Sequence, residues 1–152
     1  FSMSVIYYDP NRLSKENEKQ LSAEYVSLND LLSTADIITL HTALTSETKH
    51  LISTPQISLM KKDAILINVS RGPVVDEKAL ADALEKKRIW AAGFDVYEDE
   101  PLIQKKLLSL DNVVLLPHIG SATYETRLKM SMMAAANLVQ GLTGKVPDNL
   151  IS

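Results

Sequence analysis

Three ionisable side chains, Arg71, Glu100 and His118, fall just past the ends of three apolar stretches. Together they suit the reduction of a carbonyl. A planar guanidinium grips a carboxylate through two parallel hydrogen bonds. A histidine gives a proton to a ketone oxygen while hydride arrives at carbon, and takes it back in reverse. A glutamate beside that histidine favours the imidazolium and fixes the ring's tautomer. Each residue also has a plain reading. Arg71 can be a solvated turn arginine, Glu100 sits in the acidic run Glu98-Asp99-Glu100, and His118 can end a strand satisfied by backbone. Asp9 is a fourth feature. An acid at the end of an early strand suits the ribose hydroxyls of NAD, and it suits a turn equally well. Arg12 follows it and can favour a 2′-phosphate, which leaves NAD against NADP open.

The elements that must carry these residues alternate. Ala64 to Ser70 predicts a strand buried on both faces, broken by Arg71-Gly72-Pro73. Asp76 then caps a helix over 77–88, with Val75 stapled to Leu80. Further strands are expected over 5–8, 25–27, 37–41, 90–96 and 113–118. Helices are expected over 14–21, up to Leu32 after a cap at Ser27 or Asn29, and over 55–61 with Thr54 as cap and Pro55 first. Thr123 caps the longest helix, 124–142, where Leu128, Met132, Ala135, Val139 and Leu142 recur at helical spacing. The alternation predicts an α/β fold with a doubly wound parallel sheet. In such a sheet all strand carboxyl ends lie on one edge, so Arg71, Asp95, Glu100 and His118 converge on one crevice.

Composition narrows the classes. The chain has 152 residues, enough for one domain that buries roughly 70% of its unfolded surface. Net charge is −3 with scattered cations, which points away from nucleic acid and anionic membranes. With no cysteine, disulfides, thiolate catalysis and cysteine metal sites are excluded, and no metal is expected. No apolar run approaches the roughly 18 residues of a membrane span. A cytoplasmic setting is expected. Phe1 leads straight into a strand with no leader, as in the interior of a longer protein.

Four stretches in order, TALTSETKHLI, ILINVSRGPVVDEKAL, AAGFDVYEDEP and NVVLLPHIGSATYETR, resemble the D-isomer-specific 2-hydroxyacid dehydrogenases, closest to the glyoxylate/hydroxypyruvate reductase branch. The resemblance covers nearly the whole chain, and the spacings from Arg71 to Glu100 and from Glu100 to His118 match that branch. It implies a Rossmann-like fold and NAD(P)-dependent reduction of a 2-oxo acid, such as glyoxylate or hydroxypyruvate, to the D-hydroxy acid. Arg71 would bind the substrate's carboxylate and keto oxygen, His118 would be the acid/base and Glu100 its partner. Asp9 would take the adenosine ribose, with Pro10 and Asn11 beside it. Thr42 and Ala43 would line the cofactor, with Thr48 at the adenosine side. Val69 and Ser70 would lie under the nicotinamide, and Asp95 would bond the carboxamide, with Ile119 and Gly120 close by. Ala43 stands where the family usually has proline. Glu100 separates the chain from formate dehydrogenases, which carry glutamine there. A homodimer is implied for the full-length protein.

One family feature is missing. The resemblance implies G-x-G-x-x-G about 20 residues before the ribose acid, and Asp9 leaves no room for it. The glycines at 72, 93, 120, 141 and 144 nowhere form that motif. Residues 1–145 are therefore expected to be a partial dinucleotide-binding domain without its first strand, glycine-rich loop and first helix. Residues 146–152 would be an extended tail leading toward a substrate domain outside this sequence. The first two strands would then lose a neighbour and expose an edge. Two alternatives stand beside the dehydrogenase: a corepressor-like module that binds a dinucleotide, and an inactive fragment of the enzyme.

Overall fold

Hydroxyl and carboxylate caps start most of the helices. Ser14 accepts a backbone N–H to open α1 (Lys15–Leu21), and Ser27 does so for α2 (Leu28–Thr34). Asp76 opens α4 (Glu77–Glu85) and Thr123 opens α5 (Tyr124–Leu142). The cap of α3 (Thr54–Leu59) is Ser53 rather than Thr54, because Gln56 turns back to accept from both the N–H and the hydroxyl of Ser53. Pro55 does fall in the first turn, where its missing N–H costs nothing.

The computed structural model describes residues 2–151. Phe1 and Ser152, the last residue of the expected tail, lie outside it. The chain divides into two compact units, Phe1–His118 and Ile119–Ser152.

In the first unit every strand pairing is parallel. β1 (Val5–Tyr7) pairs with β2 (Ala23–Tyr25). A separate four-stranded sheet runs in the order β3 (Ile37–Leu40), β4 (Ile65–Asn68), β5 (Ala91–Phe94), β6 (Val113–Leu115). β1 and β2 pair only with each other, and β3 and β6 form the two edges of the four-stranded sheet. The register puts Leu40, Asn68, Phe94 and Leu115 in one row. The segments that follow this row, which carry Thr42, Arg71, Asp95 and His118, therefore leave the sheet at one edge.

The other strands are shorter than expected, while β2 keeps its expected length but is shifted to end at Tyr25 instead of spanning 25–27, because Ser27 is already a helix cap. β4 is not buried on both faces. Leu66 and Asn68 are buried, Ile65 and Ile67 are half-covered, and Val69 is exposed. The core of this unit joins Ile38, Leu66 and Phe94 to Leu32, Ile57, Leu80 and Leu84 from the helices. Val75 and Leu80 both sit fully inside it, as a staple across the Asp76 cap requires.

In the second unit, α5 keeps its expected bounds, but its apolar stripe of Leu128, Met132, Val139 and Leu142 is exposed. Among the described residues, no helix is long and apolar enough to cross a membrane.

Candidate active site

Asn68 ends β4 as a buried polar side chain, and it shapes the turn that follows. Its Oδ1 accepts from Ser70 N–H at 3.1 Å and from Ser70 Oγ at 2.9 Å. Its Nδ2 donates to Arg71 O at 3.1 Å. Three bonds from one amide thus fix the backbone that bears Arg71. The Arg71 guanidinium folds over the same turn, with Nη1 donating to Ser70 O at 2.7 Å.

Tyr97 plays the matching part between β5 and β6. Its backbone N–H donates to Glu100 Oε1 at 3.0 Å, and its hydroxyl donates to Leu116 O at 2.7 Å, two residues before His118. Its ring stacks on Phe94 in the core. One buried tyrosine therefore holds the chain on both sides of a pair: His118 Nδ1 donates to Glu100 Oε2 at 2.8 Å. Nδ1 carries a proton, because an ionised carboxylate only accepts, and Nε2 takes no part in this bond. The Glu100 carboxyl is held below the usual carboxylate range, first by the bond from His118, then by Tyr97 N–H, with the charges of His118 and Arg71 adding.

Gly72 brings the two loops together. A Cβ there would stand 1.8 Å from Tyr97 O and 2.4 Å from Glu98 N, so only glycine fits. Arg71, Glu100 and His118 consequently line one open cleft with Tyr97, Glu98 and Asp99. A half-exposed acid–base pair beside a guanidinium can exchange a proton with a bound anion's oxygen.

Behind the cleft, Glu77 is buried at the start of α4 and accepts from Glu98 N–H. Burial raises its carboxyl, and the bond from Glu98 pulls the other way. His50 Nε2 donates to Glu98 Oε1 at 2.6 Å. Sequence reasoning missed Asn68, Tyr97, Glu77 and His50. The one available signal was a polar residue, Asn68, closing an otherwise apolar strand.

The remaining expected residues lie at strand ends. Ser70 and Asp95 are buried past β4 and β5, and Asp95 N–H donates to Asn68 O at 3.0 Å. Thr42 and Ala43 follow β3, and Thr48 Oγ1 donates to Ala43 O at 2.7 Å, which closes that hydroxyl-rich loop. Asp9 lies past β1, apart from the four-stranded sheet, and its Oδ1 accepts from Asn11 N–H at 2.7 Å over exposed Pro10. Ile119 and Gly120 open the second unit.

Residues 1–120 match the model of the D-isomer specific 2-hydroxyacid dehydrogenase, NAD binding domain. The chain is 52% identical over 153 residues to a glyoxylate reductase of Aeropyrum pernix, covering 100% of this chain and 45% of that protein. A glyoxylate reductase crystal structure from Paecilomyes thermophila superposes with a TM-score of 0.87 at 39% identity, over 95% of this chain and 44% of that one. An NADPH-dependent glyoxylate/hydroxypyruvate reductase from Sinorhizobium meliloti, solved with NADP and malonate, gives 0.85 at 34% identity, over 91% and 42%. The chain thus spans under half the length of the relatives it matches.

Proposed function

Because the chain belongs to the D-isomer-specific 2-hydroxyacid dehydrogenases, we propose that its full-length protein reduces a small 2-oxo acid, of glyoxylate or hydroxypyruvate type, to the D-2-hydroxy acid. The observation that carries this reading is the His118–Glu100 hydrogen bond in a cleft shared with Arg71.

A nicotinamide dinucleotide, when bound, supplies the hydride. The residues at the strand ends fit its two halves. Asp9, with Pro10 and Asn11, suits the adenosine ribose, since its carboxylate ends β1 and accepts hydrogen bonds. Thr42 and Ala43 line the cofactor after β3, with Thr48 at the adenosine side. Val69, Ser70 and Asp95 belong to the nicotinamide end. Among the described residues no glycine-rich loop is present for the pyrophosphate, so the fit concerns the ribose and nicotinamide ends alone.

Arg71 binds the 2-oxo acid's carboxylate and keto oxygen through its fork. His118 Nε2 donates its proton to the keto oxygen, and Glu100 steadies the imidazolium from the Nδ1 side. Residues 1–145 serve as part of the dinucleotide-binding domain; the tail after them is not extended as expected but turns, with Leu150 N–H donating to Pro147 O and Asp148 bonded to Gln140. The protein acts in the cytoplasm as a homodimer.

The test is NADH oxidation by the full-length gene product with glyoxylate and with hydroxypyruvate. Turnover of either at pH 7 is expected. Tight NADH binding with no turnover of any 2-oxo acid would favour the corepressor-like alternative instead.

A further inference from the structure

We propose that Glu18 sets dinucleotide selectivity by holding Arg12 away from the ribose end of the cofactor site, so that the protein takes NAD(H) in preference to NADP(H). The proposal rests on the reading above that Asp9 faces the adenosine ribose.

Arg12 stands three residues after Asp9, where a guanidinium could meet a 2′-phosphate. It is engaged elsewhere. Its Nε donates to Glu18 Oε1 at 2.7 Å and its Nη2 to Glu18 Oε2 at 3.1 Å, a two-point clasp. The guanidinium carbon lies 4.7 Å from the centre of the Tyr25 ring on β2, so one face of the fork is covered as well. Glu18 is itself fixed. Tyr7 Oη donates to its Oε1 at 3.0 Å, Lys15 Nζ to its Oε2 at 3.1 Å, and only 8% of the residue is exposed. The carboxyl is pulled down to about 2, chiefly by Arg12, so the clasp persists at any working pH.

Glu18 occupies the Nε–Nη2 edge of the guanidinium and pins the group beside Tyr25, so reaching a 2′-phosphate would require breaking the clasp or offering only what is left of the fork from that anchored position. Glu18 also engages Lys15, through an ion pair at 3.1 Å. What remains toward the ribose is Asp9, whose charge repels a 2′-phosphate and whose carboxylate accepts from ribose hydroxyls.

The test is direct binding of NADH and NADPH to the full-length protein, read by nucleotide fluorescence, for wild type, E18Q, R12Q and E18Q/R12Q. Wild type should bind NADH more tightly. E18Q should tighten NADPH about tenfold, the size of one charge-assisted hydrogen bond, and leave NADH within about twofold. R12Q alone should alter neither, and the double variant should return NADPH to its wild-type affinity. Should E18Q not fold, E18D, with the charge drawn back by one methylene, should show a smaller gain in the same direction. An unchanged NADPH-to-NADH ratio in the folded variant overturns the proposal. So does a gain that survives in the double variant, or a wild type that prefers NADPH. A wild type that binds neither dinucleotide overturns the dinucleotide reading itself, and this proposal with it.

Discussion

His118 and Glu100 are joined by a single 2.8 Å hydrogen bond, Nδ1 to Oε2, while Glu100's other oxygen is held by the N–H of Tyr97. The pair is thus anchored to backbone at its Glu100 end, through Tyr97, and both its members line the cleft that Arg71 also lines.

If Nε2 delivers the proton, H118N should lower kcat by about 10²- to 10⁴-fold, the usual worth of general acid catalysis. Dinucleotide affinity should stay within about twofold. The same variant removes the main cause of Glu100's low pKa, so that carboxyl should titrate at higher pH than in wild type, as an NMR titration would read. Unchanged turnover in H118N would remove His118 from the reaction.

Arg71 gives a different signature. Its role in the proposed reaction depends on planar two-point contact, which lysine lacks. R71K should raise KM for the 2-oxo acid by about tenfold or more and lower kcat too, through lost orientation. Steady-state kinetics with glyoxylate separate the two parameters. Wild-type KM and kcat in R71K would mean that the substrate is held elsewhere.

Glu18 predicts a pH dependence of stability. Its folded pKa, about 2, lies below its ordinary value of 4.5. The folded state therefore binds its proton less readily than the unfolded state does. The stabilisation is complete above pH 4.5 and is lost as pH falls toward 2. E18Q should flatten the acid limb of Tm against pH in that window and leave the slope above about pH 5 unchanged. Parallel limbs for wild type and E18Q would show that the clasp exists equally in the unfolded chain.

The order of strands and helices was legible because each rule involved is local. Buried β-branched runs made strands, and Ser14, Ser27, Asp76 and Thr123 capped helices where such residues should. The cap of α3 was misread because Ser53 and Thr54 are both competent, and only the return of Gln56 decides between them. The meeting of Arg71, Glu100 and His118 in one cleft was legible from their places past strand ends. Their supports were not. Tyr97 reads as one aromatic in an acidic loop, and nothing local says that its hydroxyl meets Leu116, 19 residues on. The Arg12–Glu18 clasp was hidden likewise, since neither side chain's partner can be told among several neighbouring charges. The full cover of β4 was overread, because an apolar strand does not reveal how much of each face is packed.

Gly72 tests whether the cleft depends on close approach of two backbones. The nearest atoms to a methyl added there would be Tyr97 O, Tyr97 C and Glu98 N, all main chain, at 1.8, 1.9 and 2.4 Å. Main chain cannot swing aside as a side-chain tip can, so G72A must push the Tyr97 loop off the Arg71 turn. The cost should reach about 3 kcal/mol or more, the upper range for overpacking. Tyr97 anchors both Glu100 and the approach to His118, so the displacement should also loosen the acid–base pair. Urea unfolding should show the lost stability. At temperatures where G72A stays folded, turnover should fall well below wild type. Wild-type stability in G72A would mean that the loops separate without cost and that the cleft is not built on their contact.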